Sequence, residues 1–214
     1  MVFSGLFFLT IFLPVSLILY YAVKNRTYRN VILTIMSLVF YAWGEPVWIL
    51  LLLFCSVFVY LFAIMIERSN RKNLSKTLLI VSIAILIAIL GFFKYSGFIV
   101  DNISLLFSIE NSYTDIALPL GLSFYTFTCI SYLVDVYKKK APAQRNYVNM
   151  LMYISLFFTV TSGPIQRYPD LFADINANRE SWSKFNYGVH RFIIGLAKKA
   201  IIANTAGSLI SSFM

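Results

Sequence analysis

The chain has 214 residues, of which 59% are hydrophobic and only 13% charged, with a formal net charge of +9 and a mean hydropathy of +0.76. A soluble domain carries about 25% charged residues, so this composition excludes an ordinary soluble enzyme. The apolar runs far exceed the roughly 10-residue strands of membrane barrels, and the basic residues sit in short stretches between them, as the positive-inside rule requires. The expected class is an all-α, polytopic transmembrane protein with the lipid bilayer as its partner and no nucleic acid.

In chain order, residues 3–23 make the first span. They lack a basic start and a small-residue cleavage site, and Pro14 interrupts the run, so the segment reads as retained rather than as a signal peptide. Lys24, Arg26 and Arg29 make residues 24–30 a basic loop. Residues 31–43 are apolar but too short for an ordinary crossing of about 20 residues. Gly44-Glu45-Pro46 then breaks the helix, because proline disfavours helix at the residue before it. Residues 47–66 cross in full, and Trp43 and Trp48 flank the break where indole rings favour the interface. The pair predicts a hairpin with a short, broken or re-entrant arm.

A second basic loop covers 67–76, and residues 77–93 cross again. Residues 94–115 read as a loop that opens on an interfacial turn at Lys94-Tyr95-Ser96-Gly97-Phe98 and is net acidic through Asp101, Glu110 and Asp115. The central span, 118–137, leads into Lys138, Lys139, Lys140 and Arg145. This alternation predicts cytoplasmic basic loops, with the N-terminus and 94–115 outside. Residues 147–161 are apolar but of marginal length, and 172–187 read as an amphipathic segment on the membrane surface. The sidedness of 147–214 is not fixed by charge. The whole of 1–214 reads as a single membrane domain.

The central span carries the polar groups. Ser123, Tyr125, Thr126, Thr128, Ser131, Tyr132 and Asp135 place hydroxyls and a carboxylate along it. In hydrocarbon such groups need protein partners or a wet cavity. Asp135 reads either as an interfacial carboxylate paired with Lys138 and Lys139, or as part of a helix lining a polar channel. Arg167, after a Gly-Pro break, can bind a phosphate or carboxylate group or pair with Asp170. The single histidine, His190, has no carboxylate within helical reach to orient it and reads as an interfacial residue. One histidine and scattered acids predict no metal site. No phosphate-binding glycine loop or nucleophile elbow occurs. Cys55 and Cys129 lie in apolar runs and read as small core residues.

Seven pieces occur in order: Met1-Val2-Phe3-Ser4, Phe40-Tyr41-Ala42-Trp43-Gly44-Glu45-Pro46, Gly91-Phe92-Phe93-Lys94-Tyr95, Leu118-Pro119-Leu120-Gly121-Leu122-Ser123-Phe124-Tyr125, Ile130-Ser131-Tyr132-Leu133-Val134-Asp135-Val136-Tyr137, Gly163-Pro164-Ile165-Gln166-Arg167-Tyr168 and Gly195-Leu196-Ala197-Lys198-Lys199. Together they resemble the N-terminal half of membrane-bound O-acyltransferases, in the branch of bacterial alginate and peptidoglycan O-acetyltransferases. The resemblance implies many helices around a thin, funnel-shaped centre in a bacterial inner membrane. It implies acetyl transfer from a donor such as acetyl-CoA to a cell-surface polysaccharide, with a periplasmic or extracellular acetyltransferase partner. The family's catalytic histidine, in a Trp-His-Gly-type stretch, has no counterpart before Met214, and His190 does not match it. No bound cofactor is expected. On this reading the chain is a fragment lacking the catalytic half, with Ser123, Tyr125, Ser131, Tyr132, Asp135 and Arg167 as channel residues. A non-catalytic membrane scaffold or transporter module is the alternative.

Overall fold

Asparagine and serine caps set several helix starts. In the computed structural model, which describes residues 5–107, 117–161, 163–176 and 181–213, a π-helical turn, Phe8–Phe12, runs into α1 (Leu13–Tyr21). The Asn25 side chain accepts from the Thr27 and Tyr28 amides and starts α2 (Arg26–Gly44). This corrects the expected loop at 24–30: Arg26, Arg29 and Asn30 already belong to the helix, so the arm has 19 residues rather than a short stub. The break after it is as expected. Pro46 forbids helix at Glu45, whose φ of −141° and ψ of 71° end α2, and α3 (Ile49–Arg68) begins after the turn.

α4 (Lys72–Phe107) is one helix of 36 residues, which corrects the interfacial turn expected at residues 94–98. At 1.5 Å per residue it is about 54 Å long, well beyond a hydrocarbon core of about 30 Å. It needs no break at 94–98, and the Lys94 ammonium lies 5.6 Å from the centre of the Tyr95 ring. Glu110 and Asp115, which make the expected loop acidic, lie outside the described residues.

The central span is helical over 16 residues only, as α5 (Leu122–Tyr137). Gly121 precedes it at φ +75°, and a Cβ there would sit 2.2 Å from the Val160 carbonyl oxygen. The position thus requires glycine twice, for its left-handed backbone and for its close approach to the next element. α6 (Tyr147–Ser155), capped by Asn146, breaks at Leu156 before the short α7 (Phe157–Val160). The amide freed at Phe157 donates to the Ser37 hydroxyl at 3.2 Å, since a backbone group cannot remain unpaired in hydrocarbon.

The expected surface segment 172–187 is corrected. It is divided between α8 (Tyr168–Asn176) and α9 (Trp182–Ala197), with residues 177–180 outside the described residues. Ser181 caps α9, which continues through a π-helical turn, Lys198–Ala203, into α10 (Asn204–Phe213). Among the described residues three helical runs are long and apolar enough to cross a membrane: Ile49–Arg68, Lys72–Leu106 and Trp182–Ser211.

α5 is the centre of the bundle. α3, α4, α6, α7 and α8 all pack on it. Leu52, Val59 and Ala63 of α3, Cys129, Tyr132 and Leu133 of α5, and Met150 of α6 are fully buried, and Cys55 and Cys129 are core thiols as expected. Between apolar helices in lipid the attraction comes from close packing and interhelical hydrogen bonds. Ser56 to Tyr147 (2.9 Å) and Tyr41 to the Leu120 carbonyl (3.0 Å) are bonds of that kind. Basic segments gather at one end. Asn30 donates to Asn149, Glu67 pairs with Arg145, and Tyr60 donates to the Arg145 carbonyl. The Gly44–Pro46 corner and Gly121 lie at the other end, where Tyr41 bonds Leu120.

Candidate functional site

Asp135 sits in the last turn of α5 and is wholly buried. The cation that reaches it is Arg167, whose Nη2 lies 3.6 Å from Oδ1. Neither carboxylate oxygen has a hydrogen bond. This corrects the expected pairing with Lys138 and Lys139, which are exposed beyond the helix end. It also settles the partner of Arg167 as Asp135 rather than Asp170. A buried carboxylate held by one long ion pair is expensive in a low-dielectric setting, and the Arg167 side chain is 55% exposed, so the pair joins the interior to an open face.

The chain that delivers Arg167 is irregular. The Val160 carbonyl abuts Gly121 at one end of α5, and Tyr168 packs on Tyr132 near the other. Residues 163–167 therefore run beside α5 as irregular chain, between the Gly163 amide bonded to the Thr159 carbonyl and the Arg167 carbonyl that accepts the Leu171 amide. Gly163 allows the path, since a Cβ there would lie 2.4 Å from the Phe158 carbonyl oxygen. Non-helical backbone at membrane depth is tolerated only where it is buried in protein or lines a wet cavity. Here Pro164, Ile165 and Arg167 are exposed. They border a pocket of about 260 Å³ with Phe158, Gln166 and Asp170.

A nest of tyrosines backs the pair. Tyr132, Tyr153 and Tyr168 contact one another edge-on or tilted, with centroids 4.8 to 6.1 Å apart. The Tyr132 hydroxyl accepts the Gln144 amide at 2.8 Å, the Gln144 side chain donates to the Tyr168 hydroxyl at 3.0 Å, and Tyr153 donates to the Gln166 carbonyl at 2.8 Å. Burial pushes the Tyr168 phenol up to about 12, against the opposing pull of the Gln144 amide, so it stays protonated. Gln166 Oε1 is buried without a partner.

Of the channel residues read from the sequence, Tyr132, Asp135 and Arg167 come together. Tyr125 is buried nearer the other end of α5, beside Tyr41, with its hydroxyl unpartnered. Ser123 and Ser131 are half-buried on α5. His190 is exposed on α9 and is not part of the cluster. Sequence reasoning missed Gln144, Tyr153 and Gln166. Gln166 lay inside a quoted motif, but nothing local marked Gln144 or Tyr153 as polar-core residues. Among the described residues no group of three or more His, Cys, Asp or Glu side chains could hold a metal.

No family profile and no solved structure matches the chain. Curated relatives do. The protein named Probable alginate O-acetylase AlgI from Pseudomonas aeruginosa is 38% identical over 98% of this chain and 41% of its own length. Its namesake from Azotobacter vinelandii is 37% identical over 96% of this chain and 42% of its own. A peptidoglycan O-acetyltransferase from Helicobacter pylori is 29% identical over 96% and 45%. The chain thus spans about two-fifths of the length of these relatives. Similarity sustained from end to end of this chain places it in the membrane-bound O-acyltransferase family, with the bacterial alginate and peptidoglycan O-acetyltransferases.

Proposed function

We propose that this chain forms part of a membrane O-acetyltransferase and supplies one wall of its polar acyl-transfer path. The observation that carries the reading is the irregular 163–167 segment beside α5, which brings Arg167 to the buried Asp135. A helical bundle needs no such gap for stability alone. In the reaction, an acceptor hydroxyl attacks the carbonyl of an acetyl thioester such as acetyl-CoA, forming an ester C–O bond. The C–S bond breaks, the hydroxyl proton passes to a base, and the thiol leaves. The part of this chain is to keep the path polar, with Arg167 as a fixed cation and the tyrosine hydroxyls as donors. The acceptor is a cell-surface polysaccharide such as alginate or peptidoglycan, reached with a periplasmic or extracellular partner. The membrane is the bacterial inner membrane, with the basic end of the bundle cytoplasmic and the N-terminus outside.

The test is surface-polysaccharide acetylation in the parent protein, normalised to its abundance in the membrane. Asp135→Asn is expected to lower acetylation by tenfold or more, about 1.4 kcal/mol in the barrier, and His190→Ala to leave it within about twofold. Loss with His190→Ala at normal abundance, together with full activity of Asp135→Asn, would overturn the reading.

A further inference from the structure

A second cavity lies at the basic end, away from the pocket beside Arg167. It encloses about 780 Å³ between the α3–α4 turn and the segment after α5. Its wall is mixed. Ile66, Val136 and Ala141 are its apolar lining residues, and Lys72 and Lys139 its basic ones. The acid in the lining, Glu67, is already satisfied: Oε1 accepts the Ala143 amide at 2.8 Å and Oε2 pairs with Arg145. Neither Lys72 nor Lys139 has an ion pair among the described residues. The cavity therefore carries uncompensated positive charge. Lys72 also opens α4, which has no acidic residue in its first turn, so the positive end of a 36-residue helix adds to the same field.

Lys139 supplies an independent observation. α5 ends with the Lys140 amide bonded to the Asp135 carbonyl and the Lys139 amide bonded to the Val136 carbonyl. That bonding pattern places Lys139 at the left-handed position of the cap, and its φ is +55°. Glycine is the ordinary occupant there, because a side chain in that backbone region is disfavoured. A lysine stands in its place, among the residues that line the cavity.

We infer that this cavity is a binding site for an anionic phospholipid headgroup, held as a phosphodiester between Lys72 and Lys139. A lipid, rather than a soluble phosphate, is indicated by position and lining. The cavity sits where α3 and α4 leave the apolar layer, and it joins apolar walls to cationic ones. Basic pockets between spanning helices at this level recognise such headgroups. The inference does not depend on the acyl-transfer reading.

The test uses the full chain in neutral detergent, titrated with phosphatidylglycerol, phosphatidylcholine or inorganic phosphate and read by native mass spectrometry and by the midpoint of thermal unfolding. Phosphatidylglycerol is expected to bind and raise the midpoint, with the other two much weaker. Lys139→Gly, which keeps the cap and removes the charge, is expected to weaken phosphatidylglycerol binding about fivefold without lowering the lipid-free midpoint. Lys72→Gln is expected to weaken binding similarly, and Lys94→Gln, at the far part of α4, to leave it unchanged. Unaltered binding in both Lys139→Gly and Lys72→Gln, or inorganic phosphate or phosphatidylcholine binding as well as phosphatidylglycerol, would overturn the assignment.

Discussion

α5 and the terminal run Trp182–Ser211 are both apolar helical stretches studded with polar residues, yet their surroundings are opposite. In α5, Tyr125, Thr126, Tyr132 and Asp135 are buried among five neighbouring helices. In the terminal run no residue whose burial is described is buried, and Tyr21 of α1 touches Phe185 with ring centroids 5.9 Å apart. The same residue types are therefore under different obligations. A hydroxyl or carboxylate in α5 must find a partner in the protein or in trapped water, whereas Lys184 and Arg191 of α9 stand at an open surface. The difference teaches that in this chain the demands on a polar residue are set by its burial and not by its type.

Substitutions that leave α5 with an unmet charge should break the contrast most. Arg167→Ala abandons the Asp135 carboxylate in the interior. Its expected loss is about 3 kcal/mol, at the low end for a broken buried pair because Arg167 is half exposed. Arg191→Ala on α9 should fall within about 0.5 kcal/mol of the parent. Thermal unfolding in detergent compares the two, and equal effects would erase the distinction.

Gly121→Ala comes next. It combines a disfavoured φ of +75° with a Cβ 2.2 Å from the Val160 carbonyl, so a loss of about 2 kcal/mol is expected from strain and displacement. Tyr132→Phe should follow at about 1 to 2 kcal/mol, because the Gln144 amide is left buried without its acceptor. The third change has the opposite sign. Gly195→Ala, in open space within α9, should stabilise the helix by about 0.5 to 1 kcal/mol. Circular-dichroism melts of these three variants order them directly.

The sequence made the helical class, the Gly44–Pro46 corner and the need of Asp135 and Arg167 for partners legible, because each is written in local pattern: long apolar runs, a proline after a glycine, charges where charge is expensive. It left less visible whatever depends on distant residues. Lys138 and Lys139 are the nearest cations to Asp135 along the chain, yet the helix carries their side chains past its end. Arg167 arrives from a segment whose path is set by the close approaches at Gly121 and Gly163. Residues 94–98 read as a turn because lysine, serine and glycine interrupt an apolar run, but a helix that outlasts the bilayer needs no break there. Gln144 and Tyr153 have no local mark at all, and their roles appear only when α6 and α8 close on α5.

Water beside α5 is the property on which the polar path stands, and thiol reactivity reads it most directly. In the parent protein, with Cys55 and Cys129 replaced by alanine, Ile165→Cys and Ile194→Cys are to be exposed to a charged, membrane-impermeant maleimide in sealed membranes of both orientations. The expected result is rapid labelling of Ile165→Cys from one side and little labelling of Ile194→Cys from either. Ile165→Cys as inert as Ile194→Cys from both sides would mean that the gap beside α5 is dry, and would contradict a polar path through Arg167 and Asp135.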